Sequence, residues 1–283
     1  MPGVEDNMDS TIALLIDAEN ISYTNAKEIV EVLKEKGTTV IREVVADWTK
    51  IAGKQKENNA SNDAQTGWRN AIAAYSMTAT QQFSCVQGKN TSDIALAIRA
   101  MKIVYEKKFI DTFCLVSNDS DFTRLAQELR ENNKTVIGMG LRSNSNPEYV
   151  NAFSEYIYLN EKLEIKDIDS ERKGAKFKPI EKDRLEYMSN TASEIIEDRG
   201  QILFSELGSK MKEKYSDFVP RNYGFRTFSK LMESIMDDLP HMRIENDEKN
   251  GLKLIHKKSK PEQPPKTKEQ INSQKGTRAS ARK

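Results

Sequence analysis

Four aspartates stand at places in the chain where acidic side chains can meet. Asp119 and Asp121 follow one apolar segment, and Asp17 ends another, with Asn20 in the loop just after it. Asp93 stands near the start of a helical pattern. Each of them alone also has a simpler use, because one aspartate can cap a helix, compensate its dipole or belong to a turn.

Several carboxylates brought together repel one another unless they are protonated or neutralised by a cation. Hard oxygen ligands of this kind select Mg²⁺ or Mn²⁺. We therefore expect the four aspartates to share a divalent metal site.

The elements that would bring them together are those of an α/β fold. Between residues 10 and 160, strand-like apolar runs alternate with helical patterns, which predicts a parallel sheet flanked by helices. In such a sheet the carboxyl ends of the strands form one crevice. The predicted strands are TIALLID, TTVIREVVAD, FSCV, DTFCLVS, TVIGMG and YIYL, and the predicted helices are NAKEIVEVLKEKG, GWRNAIAAYSM, TSDIALAIRAMKIVYEKK and DFTRLAQELRENN.

The third of these helices carries apolar residues at helical spacing. Ile94, Ile98, Met101 and Tyr105 predict one face that packs against the core. Asp47, at the end of the second strand, is a candidate for the rim of the crevice, and the direction of Glu19 is left open.

A second folded region follows a charged linker. Residues 161–184 lose apolar periodicity, and residues 185–257 show helices followed by two short strands joined by the turn EKNG, the order of a small winged helix. Phe225 and Phe228 are expected in its core, while Arg221 and Tyr223 are expected to be exposed and to contact RNA. A dimerisation or protein-docking module is the alternative.

Composition excludes several classes of protein. No apolar run is long enough to span a bilayer and the start lacks a signal-peptide pattern, so we expect a cytoplasmic protein without a membrane partner. The two cysteines, Cys85 and Cys114, form no CxxC motif and predict neither a disulfide framework nor a zinc site.

The basic end of the chain contrasts with the rest. From Lys257 onward there are nine Lys and Arg against two Glu, which gives +7, whereas the whole chain carries +1 and the remainder therefore −6. We predict a disordered tail at 258–283 that contacts an anion such as nucleic acid or serves only solubility.

The motifs resemble two known families. LLIDAEN, ADW, GWRNAI, QGKNTSDIALAIRAM, LVSNDSDFTRLAQELRENNKTVIGMG and NAFSEYIYL resemble, in order and spacing, the NYN domain, a LabA-like branch of the PIN-like nucleases. RGQILFSELGSKMKEKYSDFVPRNYGFRTFSKLMES resembles the OST-HTH domain, also called LOTUS, a winged-helix module associated with RNA. The expected organisation is an N-terminal extension at 1–9, the NYN domain at 10–160, the linker at 161–184, the LOTUS domain at 185–257 and the tail at 258–283.

The first resemblance implies a metal-dependent ribonuclease, expected to be an endonuclease, that uses Mg²⁺ or Mn²⁺. Its acidic positions fall on Asp17, Asp93, Asp119 and Asp121 as catalytic residues and metal ligands. Asn20 falls on the DxxN asparagine of the family and is expected, with Ser117, to bind substrate. Lys89 is a further candidate for a phosphate contact, although a lysine beside a helix start is more often only solvated. The LOTUS domain adds Arg221 and Tyr223. Asn118 stands where the family often has Gly or Ser, a departure that should leave the carboxylates in place.

RNA, single-stranded or structured, is the implied partner, and a homodimer and a protein partner of the LOTUS domain are further hypotheses. Two other functions stay open. The protein could be an RNA-binding adaptor with weak metal affinity, or a phosphatase of small phosphoesters, since carboxylate-metal sites on α/β sheets serve several chemistries. Against a phosphatase of the haloacid dehalogenase type, DAEN lacks a DxD pair, and the absence of GxGxxG argues against a nicotinamide enzyme.

Overall fold

The computed structural model of the chain describes residues 10–49, 63–83, 91–144, 146–159, 178–247 and 251–256. Lys89, the extension at 1–9, the tail at 258–283 and most of the expected linker lie outside the described residues. In the described part, no helix is both long and apolar enough to cross a lipid bilayer.

The first part of the chain forms a six-stranded parallel sheet with helices on both faces, as the sequence predicts. Its elements are β1 (Ser10–Asp17), α1 (Ala26–Lys34), β2 (Gly37–Ala46), α2 (Asp63–Ala74), β3 (Thr78–Gln81), α3 (Thr91–Glu106), β4 (Thr112–Val116), α4 (Thr123–Glu131), β5 (Thr135–Leu141), α5 (Pro147–Asn151) and β6 (Glu155–Leu159). The strand order is β3-β2-β1-β4-β5-β6, so the direction of winding reverses between β1 and β4. The carboxyl ends of these two strands therefore border the place where open α/β sheets bind their ligands.

The central strands are apolar because they are covered on both sides. All five residues of β4 are buried, and Ile12 to Asp17 of β1 are buried without a break. Alternate residues point into two separate cores, one beneath α1 and α2 and the other beneath α3, α4 and α5. A continuous apolar run is the expected pattern for such doubly covered strands.

The third strand differs from the predicted one. FSCV was expected at 83–86, of which 84–86 lie outside the described residues. The edge strand that the structure describes is Thr78–Gln81, which pairs in parallel with Glu43–Ala46, and Phe83 lies outside it. The sequence did not indicate this strand because it lies at the edge of the sheet, where its exposed and half-buried residues need not be apolar.

The predicted buried face of α3 is wrong. Ile94, Ile98 and Tyr105 are 60 to 67% exposed, and Met101 is half-buried. The helix instead packs on the sheet through Ser92, Leu96, Ala100, Ile103 and Val104. Both faces carry apolar residues at helical spacing, and periodicity cannot choose between them.

The second part of the chain has its own core and follows the predicted order of helices and then two strands. Its elements are α6 (Lys182–Arg199), β7 (Ile202–Leu203), α7 (Phe204–Lys214), α8 (Phe228–Ser234), β8 (Met242–Asp247) and β9 (Gly251–His256). The strands form an antiparallel sheet in the order β7-β9-β8. Helix α6 begins three residues before 185, so the folded unit extends into the stretch expected as linker.

The two parts are joined along the outer edge of β6. The Tyr156 amide donates to the Ser216 carbonyl at 2.9 Å, and the Asn222 side chain accepts from the Tyr158 amide at 3.0 Å and donates to the Tyr156 carbonyl at 2.8 Å. Edge strands expose unpaired backbone groups that would otherwise template association with another chain. Here the second part satisfies them.

Buried charges reinforce this junction. Asp217 accepts a hydrogen bond from the Tyr158 hydroxyl at 3.0 Å and pairs with Arg184 at 2.9 Å. Glu155 pairs with both Lys36 and Lys212. Burial raises the pKa of Glu155, but the two ammonium charges outweigh it, so this pKa lies below its ordinary value.

Candidate active site

Asp17 stands at the carboxyl end of β1 and is almost completely buried. One carboxylate oxygen accepts from the Asn20 amide at 2.7 Å and from the Ser117 hydroxyl at 2.8 Å, and the other accepts from the Glu19 backbone at 3.1 Å. Burial raises the pKa of Asp17 although these hydrogen bonds oppose it. The carboxylate is thus held in one orientation at a cost in desolvation.

Ser117 links the first strand to the second acidic segment. It follows β4 directly, beside Asp17, and its hydroxyl also accepts from the Asp119 backbone amide at 3.1 Å. Asp119 in turn accepts from the Asp121 amide at 2.9 Å and caps the turn Ser120–Phe122. Its capping use and its place beside Asp17 are compatible, since only one oxygen is engaged by the cap.

Asp93 enters the same crevice from the first turn of α3. Burial, and then the negative charges of Asp17, Asp119, Glu19 and Asp121, raise its pKa to about 6. These charges can act on Asp93 only because the fold brings them near it. Asp121 is exposed and lines a groove of about 490 Å³ together with Asp93.

Asn118 fixes the loop between these carboxylates. Its side-chain oxygen accepts from the Leu141 amide at 2.6 Å, and its amide donates to the Asn20 carbonyl at 3.3 Å. The Asn118 side chain can lie this close to β5 only because residue 140 is glycine, since a Cβ there would stand 2.7 Å from the Asn118 oxygen. An asparagine at this position ties the ends of β1, β4 and β5 together.

The sequence did not predict a chain of hydrogen bonds that runs from the loop after Asp17 to β3. Glu19 accepts from the Asp47 amide at 3.1 Å, and Asp47 accepts from the Gln81 side chain at 3.1 Å. Asp47 is 3% exposed, so it positions the loop after β2 and does not lie on an open rim. The missed residue is Gln81, whose strand is polar and gave no signal in the sequence.

The residues expected to bind RNA in the second part of the chain are placed differently. Tyr223 is 1% exposed, so the prediction that its ring is open to solvent is wrong. Its ring packs near Phe218, and its hydroxyl accepts from Arg184 at 2.8 Å. Arg221 is half-buried and pairs with Glu28 of α1 at 3.0 Å. Phe225 and Phe228 pack in or against the core as predicted.

Comparison with known proteins identifies the first part of the chain. The model of the NYN domain matches residues 11–161, which is more than half of the chain. The chain belongs to the NYN family. The model of the OST-HTH/LOTUS domain matches residues 185–249.

Other comparisons add little to this assignment. The crystal structure of a protein of unknown function from Vibrio parahaemolyticus is 18% identical, with a TM-score of 0.44, over 56% of this chain and 98% of that one. No curated protein matches the chain. An NYN domain of the PIN-like nuclease superfamily followed by a LOTUS domain marks a nuclease-like protein that binds RNA.

The chemistry of the NYN crevice fits a hard divalent cation. Its donors are carboxylate, amide and hydroxyl oxygens, and the pKa of Asp93 is raised first by burial and then by the negative charges of the neighbouring carboxylates. Among the described residues, no three acidic, histidine or cysteine side chains are preassembled at ligand distance. Mg²⁺ commonly keeps several waters and takes only one or two carboxylates directly, so a looser arrangement also suits it.

The raised pKa of Asp93 predicts how the metal-free NYN domain responds to pH. Because the folded state holds a proton on Asp93 up to about pH 6, whereas the unfolded state releases it near 3.8, stability should fall as pH rises through this window. We expect Asp93→Asn to flatten this fall in EDTA and to raise Tm at pH 7. Part of the fall in stability should persist in Asp93→Asn, because the pKa of Asp17 is also raised.

The measurement is Tm in EDTA from about pH 4, near the ordinary pKa of an aspartate, to about pH 7.5, with added Mn²⁺ as the comparison. Mn²⁺ should reverse the slope for the wild type, since protons compete with the cation for the same carboxylates. An unchanged slope in Asp93→Asn would show that the pKa of Asp93 is not raised by its burial and by the carboxylates around it.

Proposed function

We propose that the protein is a metal-dependent endoribonuclease that cleaves RNA phosphodiester bonds, and that its LOTUS domain supplies RNA binding. The observation that carries the proposal is the convergence of Asp17, Asp119, Asp121 and Asp93 at the switch point of the NYN sheet. Domains at 10–160 and 185–257 remain the proposed working units, with the difference that they are packed together along β6.

The four aspartates would hold Mg²⁺ or Mn²⁺. When bound, such a cation supplies positive charge for the scissile phosphate and lowers the pKa of a coordinated water. Asn20 and Ser117 orient the Asp17 carboxylate by direct hydrogen bonds. Such orienting partners typically contribute about 10- to 100-fold to metal affinity or activity.

RNA contacts of the LOTUS domain are proposed for exposed cations. Lys214 and Arg226 are exposed, whereas Tyr223 is enclosed in the core of the LOTUS domain. Arg221 lies at the junction with the NYN domain, paired with Glu28, and can meet RNA only at its open side. The tail at 258–283 would add a salt-dependent attraction to phosphates.

The test is incubation of the purified full-length protein with labelled single-stranded, structured and circular RNAs in Mg²⁺, Mn²⁺ or EDTA. We expect cutting of both linear and circular RNA that EDTA stops. RNA that is bound but never cut would favour the adaptor, and hydrolysis of a small phosphoester without cutting of RNA would favour the phosphatase. Cleavage of linear RNA alone would exclude an endonuclease.

A further inference from the structure

The exposed face of α3 has the pattern of a coiled-coil seam. Ile94, Ile98, Met101 and Tyr105 follow one another at spacings of four, three and four residues, which is the alternation of the two apolar positions of a heptad. Other residues of the helix pack against the sheet. The seam is therefore a second apolar face.

Exposed apolar residues are concentrated at this helix. Six large apolar side chains are exposed in the described part of the chain, and four of them, Ile94, Ile98, Tyr105 and Phe109, lie on or just beyond α3. Scattered single residues need no explanation, but a contiguous patch of this kind marks an interface. A seam of helical period fits another helix better than an extended chain.

The charges at the two ends of α3 indicate which helix fits the seam. The start of α3 lies beside the acidic crevice, with Asp93 and Asp121 lining the groove next to the seam. In its last turn Lys102 pairs with Glu106, so these two charges cancel, and the exposed Lys107 and Lys108 that follow make this end basic. An antiparallel copy of α3 places the basic end of each helix against the acidic end of the other, and it also opposes the two helix dipoles favourably. A parallel copy would set the acidic ends side by side.

We propose that two copies of this chain associate through antiparallel α3 helices. Ile94 then faces Tyr105 of the second copy, and Ile98 faces Met101 of the second copy. The groove between α3 and α4, about 490 Å³, receives side chains of the other helix. Because a two-heptad seam is smaller than a standard interface of about 1,600 Å², we expect a dissociation constant on the order of micromolar.

The arrangement has a consequence for the crevice, which rests on the proposed nuclease function. Each copy brings its Lys107 and Lys108 to the rim of the other copy's carboxylates, where ammonium groups can bind RNA phosphates. The association itself requires no RNA and no metal. Its measurement can therefore fail or succeed independently of any cleavage assay.

The first experiment is sedimentation of the full-length protein over a range of concentrations. We expect a reversible dimer that Ile98→Lys converts to monomer at every concentration. Below the dissociation constant, where the wild type is also monomeric, the two proteins should have the same Tm, since Ile98 is exposed in the monomer. Val40→Lys, at another exposed apolar position, is the matched control and should stay dimeric. Wild-type protein that is monomeric throughout, or a dimer that Ile98→Lys leaves intact, would overturn the proposal. A lower Tm of Ile98→Lys below the dissociation constant, where neither protein is dimeric, would mean that the chain covers its own seam, and would overturn the proposal as well.

The second experiment tests orientation by oxidation of cysteine variants in a Cys85→Ser background. A mixture of Ile94→Cys with Tyr105→Cys should give crosslinked heterodimers, whereas Ile94→Cys alone should stay uncrosslinked. Crosslinking of Ile94→Cys alone would show parallel helices and contradict the proposed pairing.

Discussion

Replacement of Asp17 or Asp119 by Asn is expected to reduce metal-dependent RNA cleavage by more than about 100-fold, because loss of a ligand should exceed the effect of losing an orienting partner. The same change removes one of several repelling carboxylates. In EDTA, the Tm of both variants should therefore be unchanged or higher, and for Asp17 there is the further reason that a buried carboxylate with a raised pKa costs folding free energy.

Initial rates with Mn²⁺ and melting curves in EDTA, on the same preparations, measure both effects. Asp237→Asn is the matched control, since Asp237 is exposed on the LOTUS domain, and its rate should equal that of the wild type. Full activity in the Asp17→Asn/Asp119→Asn double variant would remove the proposed site from consideration.

Asp217→Ala is expected to lower the free energy of unfolding by about 3 kcal/mol, the low end for breaking a buried ion pair, because it removes the nearer and more buried of the two carboxylate partners of Arg184 and leaves only Glu181 at 3.4 Å. The side chains of Asp217 and Arg184 are 7% and 16% exposed, so solvent screens the pair little. The hydrogen bond from Tyr158 of the NYN domain is lost in the same change. Denaturant unfolding measures the loss.

Glu245→Ala provides the control for this effect. It breaks the exposed pair of Glu245 with Arg243, and it should change stability by less than about 1 kcal/mol. A double-mutant cycle of Asp217→Ala with Tyr158→Phe should show coupling, since the two groups touch across the junction. Equal losses in Asp217→Ala and Glu245→Ala would mean that the buried Asp217 contacts stabilise the protein no more than an exposed ion pair does.

The sequence was sufficient to predict the strands that are buried on both faces. The strands β1, β4 and β5 are apolar runs enclosed between helices, and the topology of parallel strands places Asp17 and Asp119 at one edge. The edge strand β3 was not predicted because TATQ is mostly polar, and for the same reason Gln81 was not recognised as a site residue.

Other elements could not be predicted because the same residue types serve two environments. In α3, Ile98 and Ile103 look alike in sequence, yet one is exposed and the other is buried. Tyr223 stands among basic residues as in an RNA-binding surface, but it packs inside the LOTUS domain. Asn222 looks like a residue of a surface loop, and only the fold shows that it pairs with the backbone of β6.

The most direct test of the proposed function replaces a non-bridging oxygen of the scissile phosphate with sulfur. If a divalent cation held by Asp17, Asp93, Asp119 and Asp121 contacts that oxygen, Mg²⁺ should support cleavage of the ordinary RNA but only poorly that of one sulfur diastereomer. The softer Mn²⁺ should restore it. Equal ratios of the Mn²⁺ and Mg²⁺ rates for the oxygen substrate and for both sulfur diastereomers would contradict a metal acting on the scissile phosphate at this site.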